Sequence, residues 1–171
     1  IWSPATFISE STVQCVVPPA NNIHARNRSR GIVSVSNNGV DVSSSSRGIL
    51  SLIYHPRPVV NFISPRFGSV AHGTFVTVQG YGFAPSETLS CRFGAHMSPE
   101  VVFLSTTTIL CKAPTGEGIK TGYQSVSVSN NQLDFSVSSD VDRASFMRME
   151  ESHLVSIMPT HGSVRGGTPV T

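Results

Sequence analysis

The sequence predicts an all-β sandwich, and three observations support that fold class. Hydrophobic residues make up 39% of the 171 residues and charged residues only 13%, against roughly 25% charged residues in average globular proteins. Ser, Thr, Val and Gly fill the difference, and they suit strands joined by turns, since β-branched side chains fit a pleated surface and glycine permits turn dihedrals. Short runs that alternate apolar and polar residues recur between turn residues, as expected of a sandwich.

Seven strands are predicted in the central part of the chain. They cover residues 59–64, 74–79, 89–93, 100–104, 108–113, 123–129 and 143–149, and turn residues separate them at the spacing of a sandwich. In the second strand, the alternation places Val76 and Val78 in the core and Thr77 and Gln79 in solvent. This period of two is typical of sheets with one buried face, and Ser/Thr/Val-rich runs are poor helix formers.

The sixth predicted strand repeats the same alternation. Val126 and Val128 are expected to face the core, and Ser127 and Ser129 to face the solvent. One face of the strand would then be buried in the core and the other exposed to solvent. The valines therefore join those of the second strand in the predicted core.

Three stretches of the chain recur at a nearly constant spacing. Identical or similar residues return at an offset of 93 to 96 residues when Phe7–Pro18 is aligned with Phe103–Pro114, Val33–Asn38 with Val126–Asn131, and Ile63–Pro65 with Ile157–Pro159. Repetition at a fixed period indicates a chain built from like units. The sequence thus predicts tandem repeats: residues 1–57 form the C-terminal part of a first repeat, 58–152 a complete repeat, and 153–171 the start of a third. Since both ends cut through a unit, we expect the chain to be a fragment.

The repeat also decides the one stretch whose pattern is ambiguous. Phe146–Glu151 is compatible with a helix, but it occupies the place of Ile49–Tyr54, which has β-like composition. Because equivalent segments of a repeat adopt the same structure, we assign it to the last strand.

The ordered motifs of the central unit resemble the IPT/TIG domain family, an immunoglobulin-like fold found in plexins, growth-factor receptors, fibrocystin-like surface proteins and some transcription factors. The matching pieces are Ile63–Pro65, Gly68, Gly73–Thr74, Val76–Gly80, Gly82–Phe83, Cys91–Gly94, Ile109–Pro114 and Val126–Asn131. Two positions depart from the pattern: Ala71-His72-Gly73 stands where the family usually has a double glycine, and Gln132 where it often has glycine. The resemblance implies a seven-stranded immunoglobulin-like β-sandwich, but not one particular function.

The resemblance also gives an interpretation of the three cysteines. In the family, the pair at Cys91 and Cys111 corresponds to a disulfide, and such a bond would stabilise a small sandwich. The alternative is two reduced, buried thiols that pack as small apolar groups. Cys15 occupies the place of Cys111 in the first repeat, so its partner is expected upstream of residue 1.

Other candidate sites are weaker. Asn27-Arg28-Ser29 is an N-glycosylation sequon in a polar loop, and Asn27 is a possible glycan acceptor if the chain is secreted. Arg26, Arg28 and Arg30 suggest an anion-binding patch, although a solvated loop is the simpler interpretation because no aromatic residues lie between them.

Metal, cofactor and catalytic sites are not expected. Asp140 and Asp142 are two carboxylates without the further oxygen ligands that calcium needs. The six histidines show neither metal-ligand nor catalytic-triad spacing, and no G-x-S-x-G motif occurs. We therefore predict that the chain is not an enzyme and binds no cofactor.

The function predicted from these observations is that of a non-catalytic structural and interaction module in a cell-surface or secreted protein. The tandem units would act as a stiff spacer, and their loops or strand edges would bind a protein or glycan ligand. The formal net charge of +2 gives no reason to expect nucleic acid as a partner. No apolar run approaches the roughly 20 residues that span a bilayer, so any membrane anchor is expected outside the fragment.

Two alternatives remain open at the sequence level. One is an intracellular domain of the transcription-factor type, which would assist dimerisation beside a DNA-binding domain. The other is an accessory domain of a polysaccharide-acting enzyme whose catalytic part lies elsewhere. Free thiols at Cys91 and Cys111 would favour the intracellular alternative, whereas a neighbouring catalytic domain would favour the second.

Overall fold

A computed structural model describes residues 2–19, 29–43, 50–136 and 143–171. The chain divides into two compact units, Ile1–Arg57 and Pro58–Thr171. All regular structure in the described residues is β, and no helix among them has the length and hydropathy needed to cross a bilayer. The prediction of an all-β fold is therefore confirmed.

The described residues of the second unit form nine strands arranged in two sheets. Its strands are β5 (Val59–Ser64), β6 (Phe67–Ser69), β7 (Phe75–Tyr81), β8 (Ser90–Phe93), β9 (His96–Met97), β10 (Val101–Ser105), β11 (Thr108–Lys112), β12 (Gly122–Ser129) and β13 (Ser145–Met149). One sheet has the strand order β10-β11-β7-β5 and the other β6-β13-β12-β8-β9. Neighbouring strands are antiparallel except β6 and β13, which are parallel.

The core lies between these sheets and includes the alternating valines. Val76 and Val78 of β7 and Val126 and Val128 of β12 are fully buried, which agrees with the predicted alternation. The other buried apolar residues include Val60, Ile63, Phe83, Phe93, Ile109, Ala113, Ala144 and Phe146. The rings of Phe93 and Phe146 meet edge to face, with 5.4 Å between their centroids, a favoured aromatic geometry.

The prediction that Ser127 and Ser129 face the solvent is wrong, because neither side chain is exposed. Both serines lie on the opposite side of β12 from the valines, yet both are buried. Ser127 pairs with Arg92 of β8, whose guanidinium carbon lies 4.3 Å from the centroid of the Phe135 ring. The Ser129 hydroxyl donates to Asn131 Oδ1 at 2.9 Å. Side chains from the following loop thus cover the outer face of β12 at Ser127 and Ser129.

In the first unit, the residues that the structure describes form two antiparallel pairs of strands. They are β1 (Ala5–Ser9) with β2 (Thr12–Cys15), and β3 (Ser29–Ile32) with β4 (Ser51–Tyr54). Most side chains of β1 and β2 are exposed. The Tyr54 hydroxyl donates to the carbonyl oxygen of Pro18 at 3.2 Å, a bond that connects the end of β4 to the segment after β2.

Candidate functional site: a disulfide, a buried arginine and an exposed groove

A disulfide between Cys91 and Cys111 joins the two sheets of the second unit. Cys91 lies on β8 and Cys111 on β11, so the bond crosses the core from one sheet to the other. Both residues are fully buried, and their Cα atoms are 6.2 Å apart, within the usual range for disulfides. Cys15 of the first unit is an exposed free thiol.

Arg148 of β13 places a guanidinium group inside the sandwich. The residue is fully buried, and its Nη1 donates to the carbonyl oxygen of Pro114 at 2.6 Å, while its Nε donates to Gln124 Oε1 at 2.9 Å. The guanidinium carbon lies 5.8 Å from the centroid of the Phe93 ring and 5.7 Å from that of Phe146, close enough for cation–π attraction.

Burial has an energetic cost at this position. It lowers the pKa of the Arg148 guanidinium below its ordinary value, because desolvation disfavours the charged form. Within the described residues, no carboxylate forms an ion pair with Arg148, and Nη2 has no hydrogen-bond partner. The two aromatic rings and the two hydrogen bonds therefore offset the desolvation of the Arg148 guanidinium.

An exposed apolar groove lies on the outer face of the five-stranded sheet. It has a volume of about 430 Å³ and is lined by Arg66, Phe67, Tyr123, Met147 and Met149. Tyr123 pairs with Met147, and Met147 pairs with Phe67, so these three side chains form a row across β12, β13 and β6. Tyr123 is 75% exposed and Phe67 59%. Large apolar side chains are thus presented to solvent at one edge of the sheet.

The loop after β12 is fixed by its own asparagine. Asn131 Oδ1 accepts hydrogen bonds from the backbone N–H groups of Leu133 and Asp134, and its Nδ2 donates to Asp134 Oδ2 at 2.9 Å. Gln132, between them, has a φ of 62°, the region that glycine favours. This explains why the family often has glycine there. Leu133 is left 82% exposed at the tip of the loop.

The remaining residues selected from the sequence do not converge on a site within the described part of the chain. Asn27, Arg26, Arg28, Asp140 and Asp142 all lie outside the described residues. Arg30 is exposed, and its Nε donates to the Ser51 hydroxyl at 2.8 Å. No cluster of His, Cys, Asp or Glu side chains able to hold a metal ion is found in the described ranges.

The profile of the IPT/TIG domain matches residues 58–143, the part of the chain that forms the disulfide-linked sandwich. The chain belongs to the IPT/TIG domain family. The matched range contains Pro114 and Gln124, the hydrogen-bond partners of Arg148, and three of the five groove residues. Arg148 itself lies on β13, just beyond that range.

Fibrocystin-L is similar to this IPT/TIG chain in two organisms. The Homo sapiens protein is 30% identical over 114 residues, which is 67% of this chain, and the Mus musculus protein is 32% identical over 103 residues, which is 60% of it. The chain spans about 2% of the length of either relative. An auxiliary nutrient binding protein from Bacteroides ovatus matches structurally with 24% identity and a TM-score of 0.41, over 54% of this chain and 21% of its own.

Sequence reasoning missed both Arg148 and the groove of this IPT/TIG unit. A signal for Arg148 was present, because it shares the inward phase of its strand with Phe146. Tyr123, Met147 and Met149, three of the five groove residues, are large side chains on the outward phase of β12 and β13. Their alignment into one row depends on strand register, which the sequence of each strand does not contain.

Proposed function

We propose that this chain is a non-catalytic structural and interaction module, one segment of a tandem IPT/TIG array in a cell-surface or secreted protein. The observation that carries the proposal is the recurrence of the same hydrogen-bonded geometry in both units. Three separate places support it, and they agree with the offsets of 93 to 96 residues read from the sequence.

The first place is the hairpin that ends in a cysteine. In the first unit, Ala5 lies opposite Cys15 and an irregularity interrupts the register after Phe7. In the second unit, Val101 lies opposite Cys111 and the register is interrupted after Phe103. The two hairpins therefore share their pairing, their irregularity and the position of their cysteine.

The second place is the asparagine loop. Asn38 Oδ1 accepts from the backbone N–H groups of Val40 and Asp41, and its Nδ2 donates to Asp41 Oδ2 at 2.7 Å. Asn131 makes the same set of bonds with Leu133 and Asp134. Identical side-chain hydrogen bonds in two loops are expected when the loops occupy equivalent positions in successive repeats.

The third place concerns the final residues of the chain. Met158 and Thr171 exchange two backbone hydrogen bonds of 2.9 and 2.8 Å. Ser64 and Thr77, 94 residues earlier, are paired between β5 and β7. These matches support our assignment of residues 1–57, 58–152 and 153–171 to three successive repeats.

An extracellular or cell-surface location is supported by the disulfide, since such bonds persist in oxidising compartments. The test is to recover the protein from its own cells without reductant, denature it in a thiol-alkylating reagent, and map the labelled peptides. We expect peptides with Cys91 and Cys111 to be unlabelled unless the sample is first reduced. Full labelling of both without reduction would overturn the extracellular proposal and favour an intracellular domain.

A protein ligand is favoured over a glycan by the composition of the exposed groove. Phe, Tyr, Met and Arg are the residue types enriched at the centres of protein interfaces, and all five lining residues belong to these types. Methionine also adapts its shape to different apolar surfaces. The interaction part of the proposal is therefore directed to the outer face of β6, β13 and β12.

A further inference from the structure

The buried guanidinium of Arg148 holds the start of the connection between β11 and β12. Pro114 comes two residues after β11 ends at Lys112, and its carbonyl oxygen accepts the 2.6 Å bond from Arg148 Nη1. The connection continues through residues 115–121, which are mostly exposed. The Arg148 side chain thus holds the start of this connection, beside the backbone bond from the Ala113 N–H to the Thr74 carbonyl oxygen.

Tyr54 makes the corresponding contact in the first unit. Its hydroxyl donates to the carbonyl oxygen of Pro18 at 3.2 Å, and Pro18 follows β2 as Pro114 follows β11. A different residue lies diagonally across the paired strand from each donor, Gly31 in the first unit and Gln124 in the second. A β-carbon at Gly31 would lie 3.3 Å from Cε2 of Tyr54, whereas in the second unit Gln124 accepts the Nε bond of Arg148.

The strand registers place these residues at the same positions. Leu52 pairs with Gly31 on β3, and Phe146 pairs with Gln124 on β12. Tyr54 and Arg148 each follow two residues later on the same strand, on the same face. This equivalence uses the repeat proposed above, whereas the contact between Arg148 and Pro114 stands without it.

We infer that Arg148 and Tyr54 are interchangeable hydrogen-bond donors to the proline carbonyl oxygen, each matched to its neighbour on the paired strand. We call such a donor a latch. Tyrosine needs glycine beside it because its ring fills the space above that residue. Arginine needs glutamine beside it, because the glutamine side-chain oxygen accepts a hydrogen bond from the guanidinium group. This bond offsets part of the desolvation penalty of the buried cation. The latch and its neighbour therefore form a coupled pair, and changing one alone is expected to be worse than changing both.

The exchange is tested in the full 171-residue chain with Arg148→Tyr, Gln124→Gly and the double variant. Urea denaturation gives the unfolding equilibrium constant of each. We expect each single change to increase that constant, and the double variant to recover about tenfold of the combined loss, a coupling usual for residues in contact. Strictly additive effects, with no recovery in the double variant, would overturn the inference.

A second measurement detects the latch in the folded chain. Arg148→Met keeps an unbranched chain but removes both hydrogen bonds, so the connection should open more often and trypsin should cleave after Lys120 about tenfold faster. Cleavage after Arg165, in the exposed final segment, serves as the internal control and should not change. An unchanged rate at Lys120 would contradict the latch, whatever the outcome for the repeat proposal.

Discussion

Cys91 and Cys111 form a covalent bond that should stabilise the sandwich. They are separated by 20 residues and link two sheets. Replacing both by alanine should lower the free energy of unfolding by about 3 kcal/mol, because the unfolded chain regains the freedom that the bond removes. Urea denaturation of the unreduced proteins measures the difference. Cys15→Ala is the control, since this thiol is exposed and unpaired; an equal loss there would refute the assignment.

Gly80 is a second residue whose identity the packing requires. A β-carbon at this position would lie 2.9 Å from the carbonyl carbon of Val59 and 3.0 Å from Cζ of Phe83. Because backbone atoms cannot move aside easily, Gly80→Ala should destabilise the chain by about 1–3 kcal/mol. Thermal unfolding followed by circular dichroism provides the measurement.

The matched control for Gly80 is Gly73→Ala. The nearest atom to a β-carbon there is Cε of Lys112, at 2.9 Å, which is part of a flexible and partly exposed side chain. The substitution should change stability by less than about 0.5 kcal/mol. Equal costs at both glycines would show that the close approach of β5 and β7 is not the cause.

Individual buried residues were predictable where a strand alternates regularly. Val76 and Val128 follow from a period of two, and their burial depends only on which face of the strand meets the core. Ser127 and Ser129 were not predictable, since Phe135 and Arg92 cover that face from outside the strand. Arg148 was missed because a cation is normally assigned to solvent, and its partners Pro114 and Gln124 are 34 and 24 residues away.

At the scale of elements, the long strands were predictable and the short ones were not. Strand β5 matches its predicted residues 59–64, and β12 begins one residue earlier than predicted. Strands β6 and β9, of three and two residues, are too short to display an alternation. Residues 67–69 were not among the predicted strands, but parallel pairing with β13 makes them the edge of a sheet. Their contribution to the groove was hidden for that reason.

The exposed row on β12 and β13 gives a prediction that separates surface from core. Tyr123→Thr should change the free energy of unfolding by less than about 1 kcal/mol, because the side chain is 75% exposed and loses only a cross-strand contact with Met147. Chemical denaturation of the variant tests this. A small effect would be consistent with a tyrosine that serves binding rather than folding.

Val126→Thr on the same strand is the matched control for Tyr123. Val126 is fully buried, so the added hydroxyl enters an apolar core and should cost about 1–3 kcal/mol. If Tyr123→Thr were as costly as this core substitution, the exposed row would be part of the folding framework and not a free surface.

At the scale of the whole molecule, the period of the sequence was the most informative property. It predicted tandem repeats and the bounds of a complete unit, because repeats align many weak signals at once. Registers and loop hydrogen bonds recur at the same offsets. The exposed groove lies in the second unit, where Tyr123 stands at the position that Arg30 has in the first. The repeat period predicts the features that the units share, such as strand register. It does not predict features that differ between units, such as the groove.

The independent folding of residues 58–152 tests the central claim most directly. These residues, produced alone with the disulfide intact, should unfold in one cooperative transition, with a midpoint within about 4 °C of that of the same unit in the 171-residue chain. This follows if the core between the two sheets is complete within one repeat. An unfolded fragment, or a midpoint lower by more than about 10 °C, would contradict a chain of self-contained sandwiches.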